Sequence, residues 1–184
     1  ELKIAFAFLL SLPGAPFIYY GDEIGMRYVE GLTSVEGGYN RTGSRSPMQW
    51  NDEINAGFST ADADKLYIKM DESKDRPTAK NQMENADSLY NEVKKLIGIR
   101  QNNPGLQNTS RIEFLYTGGQ KYPLVYLRGI GDERILVIIN PSKEEVDFKC
   151  KARIEEPVYV FGDKVTQNGN EISVKGQSAG FYKI

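Results

Sequence analysis

Residues 12–26 read LPGAPFIYYGDEIGM. Inside them Pro16 to Tyr20 (PFIYY) is short, aromatic and β-branched with no polar alternation, the pattern of a strand covered on both faces in a parallel sheet. Pro13, Gly14 and Pro16 end whatever precedes it. What precedes it, Leu2 to Leu12 (LKIAFAFLLSL), carries helix formers that are apolar on almost every side, as in a helix enclosed by a large protein. A helix, a tight turn and a buried strand make one step of an α/β fold.

Downstream, Gly21 to about Ala86 is polar and irregular, interrupted by Gly31, Gly37, Gly38, Gly43 and Gly57. Loops of that length are functional or disordered, and the aromatic and Met content here argues against disorder. Ala86 to Gln101 (ADSLYNEVKKLIGIRQ) predicts a helix: Asp87 or Ser88 can cap it, and Leu89, Val93, Leu96, Ile97 and Arg100 share one face. Asn102, Asn103, Pro104 and Gly105 stop it.

Beyond Gly105 the pattern changes to short β-rich runs: 111–116, 123–127, 134–140, 146–150, 158–160, 171–174 and 179–184. The turn stretches Thr117-Gly118-Gly119, Gly129-Ile130-Gly131-Asp132 and Gln167-Asn168-Gly169-Asn170 separate them, and together they predict an antiparallel β-sandwich. A domain boundary is expected near Gly105 to Ser110, and no internal repeat or low-complexity tract is present.

The chain has 184 residues, short of the roughly 250 of a complete (β/α)8 barrel. It contains no His and a single Cys, which excludes Ser-His-Asp and Cys-His catalysis, imidazole-based zinc sites and an intramolecular disulfide. A net charge of -2 gives no basic excess for nucleic acid. No basic stretch precedes the apolar run from Ile4 to Leu12, and Pro13 and Pro16 break it. That speaks against a signal peptide and against a membrane helix, which needs about 20 apolar residues. The sequence reads as a piece of something larger, and its one Cys fits the cytoplasm or a bacterial exterior equally well.

Asp22 and Glu23 follow the expected strand, where α/β proteins place their sites. As a glycosidase pair they fail on geometry. Neighbours on an extended chain point to opposite sides, whereas the two carboxyls must face each other across a bond at about 5 to 9.5 Å. The alternative is that Glu23 anchors the following loop by hydrogen bonds.

Arg41-Thr42-Gly43-Ser44-Arg45-Ser46-Pro47-Met48-Gln49-Trp50 offers two guanidinium forks for a carboxylate or sugar hydroxyls, with a Trp or Tyr face for a sugar ring. The same residues could instead form an apolar plug of Pro47, Met48 and Trp50 with the Arg pair in internal salt bridges. Asp62, Asp64, Asp71, Glu72 and Asp75 are spaced too loosely for a calcium loop and read as solvated charge. Glu92, Lys94 and Lys95 read as a wet helix face, and Cys150 as a structural thiol.

Leu12 to Met26 resembles the eighth-strand motif of the α-amylase family, glycoside hydrolase family 13. Arg45 to Trp50 followed by Asn55-Ala56-Gly57-Phe58-Ser59 is similar to the RTPMQW and NAGFS elements of its oligo-1,6-glucosidase, α-glucosidase and trehalose synthase branches, with Ser46 for the usual Thr. Asp87 to Leu106 is similar to the eighth barrel helix.

The resemblance implies an α/β barrel remnant, the last helix-strand-helix of a TIM barrel, followed by an all-β antiparallel sandwich. Residues 1–106 would be helix 7, strand 8, a long loop and helix 8, and residues 107–184 the C-terminal β-domain. The family's nucleophile, acid/base and third carboxylate lie upstream with its histidines, so no catalytic residue is expected in this chain. Arg41 and Arg45 match substrate-binding positions around the non-reducing glucose, although the residues between them depart from the family's Asp-Asn-Ala.

The implied parent is a retaining hydrolase of α-linked glucans or oligosaccharides. A trehalose synthase-like transglycosylase is the alternative, and a carbohydrate-binding β-sandwich module a second one, built on Tyr116, Tyr122, Tyr126, Tyr159, Phe161 and Tyr182. No cofactor is expected in this segment; any calcium would bind upstream. Without barrel neighbours, Phe6, Phe8, Leu9, Leu10 and Leu12 would lose cover worth on the order of 10 kcal/mol. Self-association or disorder through Leu2 to Tyr20 is the expected consequence.

Overall fold

The computed structural model describes residues 1–116, 119 and 122–184. Thr117 and Gly118 of the first expected turn lie outside the described residues. The helices are α1 (Leu2–Ser11), α2 (Ala79–Glu84) and α3 (Leu89–Asn102). The strands are β1 (Ile112–Tyr116), β2 (Leu124–Arg128), β3 (Ile135–Asn140), β4 (Val146–Lys149), β5 (Pro157–Phe161), β6 (Thr166–Asn168), β7 (Glu171–Val174) and β8 (Ser178–Lys183). They fall into two compact units, Glu1–Phe17 with Val93–Ile184, and Ile18–Glu92.

In the first unit, a five-stranded sheet of order β1-β2-β3-β8-β5 and a three-stranded sheet of order β4-β7-β6 are antiparallel throughout. Alternation along each strand sends one set of side chains to each face. Val125, Leu136, Ile138 and Tyr182 of the larger sheet pack with Phe148, Ile172 and Val174 of the smaller in one core. On the opposite face Tyr126, Val137, Phe181 and Tyr159 stand side by side across four strands. All four are buried, and Tyr126, Tyr159 and Tyr182 therefore offer no sugar platform.

Helix α1 contacts β3 and β8 and buries Ile4, Phe6, Ala7 and Leu10. This corrects the expected loss of cover for Phe6 and Leu10, because the sheet of the same chain supplies it. It also corrects the reading of a helix enclosed all round, since Leu2 and Phe8 are exposed.

The last carbonyls of a helix have no intrahelical donor. Here two arginines supply them. Arg100 of α3 donates to Leu10 O, Leu12 O and Gly14 O at 2.7, 2.6 and 2.7 Å. Arg128 at the end of β2 is 0% exposed and donates to Ser11 O, and to Gln107 O at 2.7 Å, Ser110 O at 3.3 Å and Arg111 O at 3.3 Å. Tyr126 OH meets Ser11 Oγ at 2.5 Å. Burial pushes the Arg128 guanidinium down to about 10, with nearby Arg100 adding to the effect, and burial pushes the Tyr126 hydroxyl up to about 12. Both groups keep their protons at neutral pH.

Pro16 to Tyr20 forms no strand, which corrects the buried strand expected from its sequence. Phe17 is 89% exposed. A strand exists through its ladder with neighbours, and among the described residues no strand lies alongside this stretch. No helix among the described residues is long and apolar enough to cross a membrane.

Candidate functional site

The second unit, Ile18–Glu92, consists mostly of loops pinned by short one-turn 3-10 helices. One of these, Thr42–Ser44, has Arg41 at its start and Arg45 at its end. Thr42 Oγ1 accepts from Tyr39 N at 3.1 Å and Gly43 O accepts from Val29 N at 2.9 Å. Gly43 is required by space: a Cβ would strike Val29 O and the Tyr28 ring.

This turn aims both arginines at a hollow of about 310 Å³ lined also by Tyr19, Tyr20, Arg27 and Tyr28. Arg27 forks onto Asp75 at 2.9 and 3.0 Å. That bond raises the Arg27 pKa and holds the Asp75 carboxyl below its usual range. Arg41 and Arg45 are exposed, and among the described residues neither has a carboxylate at ion-pair distance. The Arg41 guanidinium lies 5.3 Å from the Tyr39 ring centroid. Tyr20 OH donates to Ser46 O at 3.1 Å; burial, then neighbouring Tyr19, raises its pKa, so it stays a neutral donor.

Asp22 and Glu23 sit in a turn opened by Gly21 at φ 89 and closed by Gly25 at φ 72. Asp22 accepts from Tyr19 N at 3.0 Å and Glu23 from Gly21 N at 2.8 Å. The two diverge: Asp22 lines the arginine hollow, and Glu23 a second, apolar one of about 510 Å³ with Trp50, Phe58 and Tyr67. Trp50, 51% exposed, thus stands in a different hollow from Arg41, while Arg45 borders both.

Met48 is buried against Ile24 and Ala79. Gln49 Nε2 donates to Pro77 O at 2.8 Å, and Trp50 N and Asn51 N both donate to Ala56 O. Asn55, Ala56 and Gly57 are all left-handed, at φ 49, 52 and 72. Asn55 Nδ2 holds that bend by donating to Ser59 O and Ala61 O.

Asp71 is not solvated as expected. It is 4% exposed, accepts from Ser73 N at 2.9 Å, and lies 3.9 Å from Arg27. Among the described residues no group of three or more His, Cys, Asp or Glu could hold a metal. Arg27 and Tyr28 were not singled out from the sequence. No local signal could have found them, since only the crossing of Val29 over Gly43 brings them beside Arg41.

Chemically, the hollow presents two guanidiniums with no carboxylate partner among the described residues, which suits hydroxyl or carboxylate groups.

The model of the α-amylase catalytic domain matches residues 1–109. A trehalose synthase/amylase of Mycobacterium tuberculosis is 33% identical over 150 residues, covering 78% of this chain and 24% of its own length. A glucan 1,6-α-glucosidase of Streptococcus pneumoniae is 31% identical over 179 residues, 82% of this chain and 32% of that protein. The crystal structure of a trehalulose synthase from Pseudomonas mesoacidophila superposes with a TM-score of 0.80 at 24% identity, over 99% of this chain and 38% of that one. The chain therefore spans about a quarter to a third of the length of these curated relatives. With the family model covering more than half of its residues, the chain belongs to the α-amylase family.

Proposed function

We propose that this chain is the C-terminal part of a retaining α-glycoside hydrolase acting on α-linked glucans or oligosaccharides. In this reading residues 1–106 are the end of the (β/α)8 barrel and residues 107–184 its β-domain. The observation that carries it is the hollow where Arg41 and Arg45 stand unpaired beside Tyr19 and Tyr20. These groups can grip sugar hydroxyls, but two donors cannot replace the two carboxyls about 5 to 5.5 Å apart that a retaining displacement needs. Asp22 and Glu23 do not make such a pair, because they line different hollows. The chemistry then belongs to residues upstream, and this chain forms one wall of the sugar pocket.

The trehalose synthase relative supports a second reading, a transglycosylase in which a sugar rather than water takes the glycosyl group. The test is turnover of 4-nitrophenyl α-glucoside, maltose and isomaltose. The chain alone is expected to release no product, and measurable release would overturn the assignment. In a polypeptide carrying the upstream barrel, Arg41→Ala is expected to lower kcat/KM by roughly a hundredfold.

A further inference from the structure

A different hollow, on the β-sandwich and well away in sequence from Arg41 and Arg45, has the make-up of an anion site. It is an open hollow of about 600 Å³ bordered by Arg134, Lys149, Lys151 and Arg153, with the apolar Leu115 and Leu127 also in its lining. The cations are placed by alternation. Cys150, Ala152 and Ile154 turn inward to the sandwich core, while Lys149, Lys151 and Arg153 are exposed between them. On an extended chain, side chains two residues apart stand roughly 6.5 Å from each other on one face.

The segment is fixed by partners outside it. Cys150 N donates to Asn170 O at 2.8 Å, Ile154 N to Gln167 Oε1 at 3.0 Å, and Gln167 Nε2 to Ala152 O at 2.8 Å. Arg134 is steadied by its Nε donating to Gly131 O at 3.0 Å. Among the described residues none of the four cations has an ion pair. Against them stands Glu155, so the side chains lining the hollow are net positive on a chain of net charge -2.

We propose that this hollow binds a compact small-molecule polyanion bearing two or more phosphoryl groups. The charge count favours such a ligand over a single carboxylate, which could satisfy only one or two of the four donors. Low-dielectric walls beneath the cations focus their field into the hollow. The size falls within the roughly 300 to 1,000 Å³ of small-molecule sites.

Calorimetric titration of the full chain with inorganic tripolyphosphate in about 0.1 M salt tests this, with sulfate and citrate as comparison anions. The expected result is one saturable site with a dissociation constant below about 1 mM and weaker binding of both comparison anions. The double substitution K151Q/R153Q is expected to weaken tripolyphosphate roughly tenfold. K65Q/K69Q, which removes the same charge elsewhere, is expected to leave it unchanged. Both pairs are exposed, and a circular dichroism melt verifies that each variant is folded. Absence of saturable binding, equal weakening by both double substitutions, or citrate binding as tightly as tripolyphosphate would each overturn the proposal.

Discussion

Arg128 is the largest of the fully buried side chains among the described residues, and its charge is met by backbone carbonyls rather than a carboxylate. Replacing it with Met keeps much of the volume but leaves those carbonyls without a donor, and the expected loss is about 3 kcal/mol. A lower urea midpoint at unchanged m-value would show it. Arg128→Lys should recover less than half, because an ammonium cannot fork across several acceptors.

Tyr126 gives a pH test. Its folded pKa of about 12 lies above the unfolded value of 10.0. The folded state therefore keeps a proton that the unfolded state loses, and stability is full below pH 10 and lost as pH rises toward 12. Arg128, whose pKa is lowered, acts in the opposite direction over the same window. The reading is therefore the difference between wild type and Tyr126→Phe. The wild type should lose about 2 kcal/mol more than the variant between pH 10 and 12; parallel curves would show that Tyr126 ionises freely. None of this was legible in the sequence. Arg128 lies just past the 123–127 run, and only its contacts with Ser11 and Gln107 reveal a buried staple.

At the scale of elements, seven of the eight strands among the described residues lie within about a residue of where turn residues and β-rich runs put them. β6 was not legible, because Thr166-Gln167-Asn168 is polar and is a strand only through its ladder with β7. Pro16 to Tyr20 is the converse, a strand-like sequence without a partner. α2 was hidden in the long loop: Thr78 caps it through Asn81 N at 3.2 Å, and Gln49 O and Trp50 O take its first donors. The helix after Ala86 was legible in its cap, since Ser88 Oγ accepts from Asn91 N at 3.1 Å. It was also legible in its face, where Leu89, Val93 and Leu96 are buried.

Gly105 stops a helix in the sequence pattern and has a second role in the fold. A Cβ there would run into the Glu133 carbonyl oxygen, and Gly129 lies against the same carbonyl. Two backbone segments thus approach too closely for a side chain on either. Gly105→Ala should cost about 2 kcal/mol, lowering the thermal midpoint, whereas Gly98→Ala, in open space within α3, should raise it slightly.

For the whole molecule, the two units differ in how they are held. In the first, two sheets share a continuous apolar core and α1 covers the outer face. In Ile18–Glu92 a small cluster joins Ile24, Met48 and Ala79 with Met26 and Tyr90 alongside, and Trp50, Phe58 and Tyr67 stay exposed. Local opening costs least where few apolar contacts are lost. The amides of Met26, Val29 and Ala79 are hydrogen-bonded, to Gly21 O, Gly43 O and Gln49 O at 2.9, 2.9 and 2.8 Å, so their exchange reports opening of that unit. They should exchange at least about 2 kcal/mol more easily than those of Val125, Val137 and Phe181, which open only with the sandwich. Hydrogen exchange along a shallow urea series measures the gap. A single common opening energy would mean that the loop-rich unit gains its stability cooperatively with the sandwich. If the proposed function holds, the gap closes in a polypeptide that also carries an upstream barrel; a gap that persists there would make the easy opening of Ile18–Glu92 a property of that unit itself.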